Sequence, residues 1–249
     1  MLASLKAEFR KLFTVRSTYW LSGFVLVFVA FLSTYVFGYR QEAFKADNPL
    51  FMVDVIYSMI STFILLGTIV GILLIAHEYR YNTIFYTITS SNSRLKVLIS
   101  KVLVLLFYIT AMTCIVAVVT YVSARIGLSF ANATLVPQTI DWWSVTWKFV
   151  SFVWLYALVG FFIAVLVRGV VPAIAIYLAF PVVEQMLVPL LKDNAGFLPF
   201  NAIGAIAATT PNGVGWLMLT PLTALGVSIT YIIVLSTIST VLFVRRDAN

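Results

Sequence analysis

Charged side chains are scarce in this chain: Asp, Glu, Lys and Arg make up 10% of its 249 residues, while 62% are hydrophobic. A soluble domain has about a quarter of its residues charged. No water-soluble fold could cover this much apolar surface, so the solvent of the fold is lipid. Cysteine is limited to Cys114, which excludes an internal disulfide. Histidine is limited to His77, too few for a structural zinc site with its ~four Cys/His ligands. None of the 12 glycines stands in a GxxxxGK(S/T) phosphate loop, so the chain cannot bind ATP by that route. Intramembrane proteolysis calls for a Ser–His pair, two membrane aspartates or an HExxH zinc motif. His77 has no second histidine, Asp54 and Asp141 fall at the outer ends of apolar runs, and no acid–base cluster is visible. No polar stretch is long enough for a separate soluble domain, so residues 1–249 form a single membrane domain.

What is present is a series of apolar runs of the length that a bilayer demands, roughly 20 residues for a helix. They cover residues 19–39, 55–76, 102–123, 149–167, 172–191 and 221–244. The fourth and fifth are separated only by Arg168-Gly169-Val170-Val171, a tight hairpin. A net charge of +7 raises nucleic acid as a partner, but the basic residues stand at the ends of the runs, where Lys and Arg set orientation. With the N-terminus inside, the cytoplasm receives Lys6, Arg10, Lys11, Arg16, Arg80, Arg94, Lys96, Lys101, Arg168, Arg245 and Arg246. The outside receives Arg40, Lys45, Arg125, Lys148 and Lys192. Eleven against five favours six spans with both termini cytoplasmic, in the plasma or inner membrane. The first run is too long for a signal peptide and lacks a small-residue cleavage site.

Three segments outside the runs have structure of their own. Leu2, Leu5, Phe9, Leu12 and Phe13 share an arc at helical spacing, with Lys6, Arg10 and Lys11 off it, so residues 1–17 form an amphipathic helix expected on the inner leaflet. Trp142, Trp143 and Trp147 precede the fourth run as an anchor at headgroup depth. Residues 192–220 are apolar but broken by Pro199, Pro211, Gly196, Gly204, Gly213 and Gly215. Irregular backbone at membrane depth must be covered by protein or water, so short re-entrant helices entering from outside are expected there.

Two places carry ionisable residues in a pattern that suggests function. Between the second and third runs stand His77-Glu78-Tyr79-Arg80-Tyr81-Asn82-Thr83, then Ser90-Ser91-Asn92-Ser93-Arg94, then Lys101. Arg94 and Lys101, seven apart, share a face of a helix, and Glu78 can pair with Arg80 or another base to fix the loop. Composition alone describes either a docking loop or a solvated basic loop. The second place is Glu184, twelve residues past Pro172 and so roughly 18 Å along a helix, beyond the centre of a ~30 Å hydrocarbon core. Tyr177 shares its face, and Pro181 between them removes a helical donor. An ionisable group at that depth faces a water-filled path or a partner; a paired glutamate that closes a helix interface fits the same position.

The spacing of Glu78, Thr83, Arg94 and Lys101 resembles the first cytoplasmic loop of type 2 ABC exporter permeases. In that family an acid and a Gly-Thr pair end the second helix, and a Pro-Val/Ile-Ser-Arg turn and a lysine lead into the third. The resemblance extends to the amphipathic N-terminal helix, the six spans and the broken segment before the last one. Asn82 stands where glycine is usual, and Ser91-Asn92-Ser93 lacks the proline. The resemblance implies an all-α permease without a nucleotide-binding domain or cofactor of its own. Glu78, Arg80, Thr83, Arg94 and Lys101 would belong to a coupling helix docked on a separate ABC ATPase, which binds the ATP and Mg. The path would form between two permease copies or with a sister permease, with cargo such as an amphipathic peptide, toxin or antibiotic, and Glu184 and Tyr177 would line it. The rivals are a channel or ion-coupled transporter using Glu184, and a membrane scaffold that transports nothing.

Overall fold

The structure, a computed structural model, describes residues 2–14, 16–39, 51–81, 83, 94–130, 141–207 and 219–245. Backbone groups in lipid must be satisfied within their own segment, which favours helices, and no strand occurs among the described residues. The elements are α1 (Leu2–Thr14), α2 (Arg16–Tyr39), α3 (Phe51–Arg80), α4 (Arg94–Phe130), α5 (Trp142–Val167) and α6 (Val170–Leu191). A 3-10 segment (Lys192–Phe197), α7 (Pro199–Ala207) and α8 (Pro221–Arg245) follow. Six of these, α2 to α6 and α8, are long and apolar enough to cross a membrane, and each contains one of the six apolar runs. The helices outlast the runs. The 37 residues of α4 extend about 55 Å, against a hydrocarbon core of ~30 Å. Apolar runs measure the hydrocarbon portion; the helix continues through the polar layer on either side.

α3 and α5 form the centre of the bundle, and α2, α6 and α8 expose most of their apolar surface. Close approach at the centre depends on small residues. Gly160 of α5 lies so near Thr68 of α3 that a Cβ added there would collide with the threonine methyl. α2 runs beside α4, joined by Ser22 Oγ to Tyr108 Oη at 2.7 Å and by Thr34 Oγ1 donating to the Ser123 carbonyl at 3.4 Å. At Gly127 an added Cβ would lie 2.7 Å from both the Thr34 carbonyl oxygen and the Phe37 Cβ. Trp154 Nε1 donates to Thr110 Oγ1 at 2.7 Å, linking α5 to α4 in a setting where a hydroxyl has few other partners.

The helix ends follow local rules. Asp141 caps α5, its carboxylate accepting the amides of Trp143 and Ser144 at 3.2 and 3.4 Å. Trp142 and Trp143 are exposed, while Trp147 packs on the core. Arg168 ends α5 in the left-handed conformation (φ 57°), a position that usually falls to glycine, and the next residue, Gly169, lies so close to Pro172 that a Cβ would stand 2.9 Å from the ring. α6 runs unbroken through Pro181 and Pro189. Of the segment expected to be re-entrant, the 3-10 turn and α7 are described and residues 208–218 lie outside the described residues; α7 packs on α5 and α8.

α1 packs against the bundle. Leu12 is buried, Leu5 and Phe9 pack on the core, and the Phe9 ring meets Phe107 of α4 edge-on at 5.1 Å. Ser4 Oγ lies 2.9 Å from Ser100 Oγ. Leu5, Phe9 and Leu12 of the apolar stripe therefore meet protein, and Lys6 and Arg10 face outward.

A side chain at Gly127 would force α2 and α4 apart. Gly127→Ala is expected to cost ~1–3 kcal/mol through overpacking and to lower the melting temperature in mild detergent by roughly 3–10 °C. Gly226→Ala, where nothing lies within 4 Å of the new methyl, should leave it unchanged or raise it.

Candidate functional site

Four charges meet where α1, α3 and α4 come together. The Lys101 ammonium, fully buried at 0% exposure, donates to Glu8 Oε2 at 2.8 Å, Glu78 Oε1 at 2.8 Å and the Leu74 carbonyl at 3.2 Å. A lysine has three N–H donors, and all three are used. Lys11 donates to Glu78 Oε1 at 2.7 Å and to Glu8 Oε1 at 3.1 Å. Glu8 and Glu78 are 2% and 7% exposed. The cluster holds two ammonium and two carboxylate groups, so its formal charge is zero. A buried ion pair gains little against an apolar replacement, but removing one partner strands the other. The cluster therefore specifies which three helix ends belong together more than it adds net stability.

Lys11 lies at the rim, with 46% of its side chain exposed. Burial by itself would lower its pKa; the hydrogen bond and charge of Glu78, followed by those of Glu8, outweigh this and hold it above the ordinary 10.5. The proton on Lys11 is thus stabilised by the fold.

The other residues singled out in the loop separate. Glu78 pairs with Lys101 and Lys11, whereas Arg80 is exposed and lies over the Tyr81 ring at 5.6 Å. The Thr83 amide donates to the Glu78 carbonyl at 2.9 Å and closes the end of α3. Arg94 shares α4 with Lys101 but reaches the other way, its Nη1 donating to the Val244 carbonyl at 3.1 Å and to the Phe243 carbonyl at 3.5 Å. A cation at the last carbonyls of a helix satisfies orphan acceptors and complements the helix dipole. Arg168 lies over the Tyr79 ring at 5.5 Å. One end of the bundle, hereafter the basic end, thus gathers α1, the ends of α3, α5 and α8 and the start of α4. Asn82 and residues 84–93, which include the Ser91-Asn92-Ser93 turn and most of the expected coupling helix, lie outside the described residues.

Glu184 and Tyr177 sit away from this end, on the inward face of α6. Glu184, 4% exposed, accepts the Phe200 amide at 2.9 Å (Oε1) and 3.0 Å (Oε2) and the Asn201 amide at 3.1 Å. The buried Tyr177 hydroxyl donates to Thr68 Oγ1 of α3 at 3.2 Å.

Two members of the charge cluster escaped the sequence reading. Glu8 falls between Leu5 and Leu12 at helical spacing, an acid set within the apolar stripe of α1, and Lys11 follows it by three residues. An acid on an apolar face needs a buried cation; that signal was available, but which cation answers it depends on residues more than 60 positions away.

The family described as ABC-2 family transporter protein matches the chain over residues 4–184, a span that runs from α1 to Glu184 and includes the whole charge cluster. No curated protein matches the chain.

Removing Lys101 leaves two buried carboxylates with one ammonium. Lys101→Met is expected to destabilise the protein by ~3–5 kcal/mol, and Glu8→Gln added to it should restore part of the loss; thermal unfolding in detergent measures both. The sign for Lys11 follows from its raised pKa. Its contribution is complete below the ordinary lysine pKa of 10.5 and fades as the pH rises through the higher value in the fold. The stability gap between wild type and Lys11→Met should stay constant up to the ordinary value and close above it.

Proposed function

The chain belongs to the ABC-2 family of transporter proteins, and we propose that this membrane permease serves an ATP-driven exporter, with a separate ABC ATPase bound at its basic end. The observation that carries this reading is the charge cluster at the mouth of the polar loop. Glu78 stands in the last turn of α3, Lys101 two turns into α4, and both are locked to α1. A loop that leaves from Arg80 and returns at Arg94 is therefore mounted on a rigid frame, and force applied to it reaches three helices together. Arg80 and Thr83 are exposed on the departing side; Arg94 carries the returning side to α8. A solvated orientation loop would need no such frame.

In this reading the basic end is cytoplasmic, with both termini inside, and ATP and Mg are held by the ATPase subunit. Two permease chains, identical or sister, enclose the path with their exposed apolar faces, and Tyr177 and Glu184 belong to its outer gate. The apolar surroundings favour an amphipathic cargo such as a peptide, toxin or antibiotic.

The test is co-purification in mild detergent with an ATPase encoded beside this chain. Wild type should retain the ATPase and alter its rate of hydrolysis. Arg80→Glu reverses an exposed charge outside the buried cluster, so it should weaken binding by tenfold or more while leaving the melting temperature within about 2 °C, as expected of surface substitutions. A wild-type chain that purifies without any ATPase sinks the proposal.

A further inference from the structure

α7 begins without a cap of its own. Leu198, just before it, has the extended backbone of an N-cap residue (φ −63°, ψ 143°), but its aliphatic side chain accepts nothing. Pro199, the first helical residue, has no N–H to satisfy, as is common at that position. The first intrahelical bond runs from the Ala202 amide to the Leu198 carbonyl at 2.8 Å. Phe200 and Asn201 remain as the orphan donors of the first turn, and the Glu184 carboxylate takes both. The cap of α7 is thus supplied by another helix, 16 residues back in the chain.

The two helices joined in this way are held very differently. α7 is part of the bundle body: Ala202, Ile203, Ala205 and Ile206 are buried, the Tyr156 hydroxyl of α5 donates to the Phe200 carbonyl at 3.4 Å, and the Tyr231 hydroxyl of α8 donates to the Phe197 carbonyl just before α7 at 3.0 Å. α6 exposes Val182, Val183, Met186 and Leu190 beyond its midpoint. Its polar ties inward are Tyr177 to Thr68 and Glu184 to α7, the latter flanked by a long bond from Gln185 Nε2 to Asn201 Oδ1 at 3.4 Å. Pro181 lies between the two ties, and it removes the helical donor that the Tyr177 carbonyl would otherwise receive. The half of α6 before Pro181 is fixed to α3, and the half after it to α7.

We propose that Glu184 is a positioning residue, a strap that holds the far half of α6 against the body formed by α5, α7 and α8, and that its release lets this half move about Pro181. As the step that opens an export path the proposal rests on the exporter reading; the strap itself does not. It also accounts for an acid at this depth without any contact to cargo.

The experiment uses the full chain in lipid nanodiscs with Cys114→Ser and spin labels on Met186→Cys and Gly204→Cys, one on each side of the strap. With Glu184 intact the distance distribution should be narrow. Glu184→Gln keeps one acceptor oxygen and replaces the other with an amide nitrogen that cannot accept. It should broaden the distribution and speed hydrogen exchange at the Phe200 and Asn201 amides by on the order of tenfold, the loss of one hydrogen bond. Glu184→Met combined with Leu198→Asp gives α7 a local cap, so amide protection should return while the distribution stays broad. A distribution that remains narrow in Glu184→Gln, or that narrows again in the double variant, overturns the strap and leaves Glu184 as a cap alone. Since neither ATPase nor cargo is present, these outcomes are separate from failure of the exporter reading.

Discussion

An ammonium group with no access to water is the constraint around which the basic end is organised. Lys101 reaches it on a helix whose next two dozen residues are almost entirely apolar, so the charge can neither retreat to solvent nor be left alone. Its three donors require three acceptors in a fixed arrangement, and these come from α1 and α3. Two carboxylates in that space would repel each other, and the second lysine, from the helix that supplies Glu8, completes the balance. The position of α1 follows from this. Its apolar stripe could pack on many surfaces; the acid within the stripe ties it to Lys101.

The far half of α6 is organised by the same logic with a different partner. Glu184 is a buried carboxyl group answered by the amides of a helix start, which carry partial positive charge. Between these two places the bundle is held by close backbone approach at Gly127 and Gly160 and by hydroxyl pairs such as Ser22 with Tyr108. Lipid is as apolar as leucine, so helices in it associate through close packing and hydrogen bonds. The charges decide which ends meet, and the small residues decide how closely the middles approach.

The six spanning helices were legible because lipid imposes a length on apolar runs that few other constraints imitate. Their ends were not, since helix and hydrocarbon stop at different depths, most visibly at both ends of α4. Glu78, Lys101 and Glu184 stood out as ionisable groups at membrane boundaries or within the membrane. Their partners did not. Glu8 was hidden inside an apolar stripe, and the amides of Phe200 and Asn201 leave no trace in a sequence beyond the proline that precedes them. The stripe of α1 was plain, but a stripe does not say which of its residues will meet protein; here Leu5, Phe9 and Leu12 do.

The charge cluster also imposes an order on the making of the protein. Glu8 and Lys11 leave the ribosome about ninety residues ahead of Lys101, whose partner Glu8 lies 93 positions away. While only α2 and α3 have entered the membrane, two acids share one lysine and the seat of α1 on α4 does not exist. The N-terminal helix has no seat on α4 until the third span arrives. Closure of the cluster then marks the moment at which the first half of the molecule acquires its final shape.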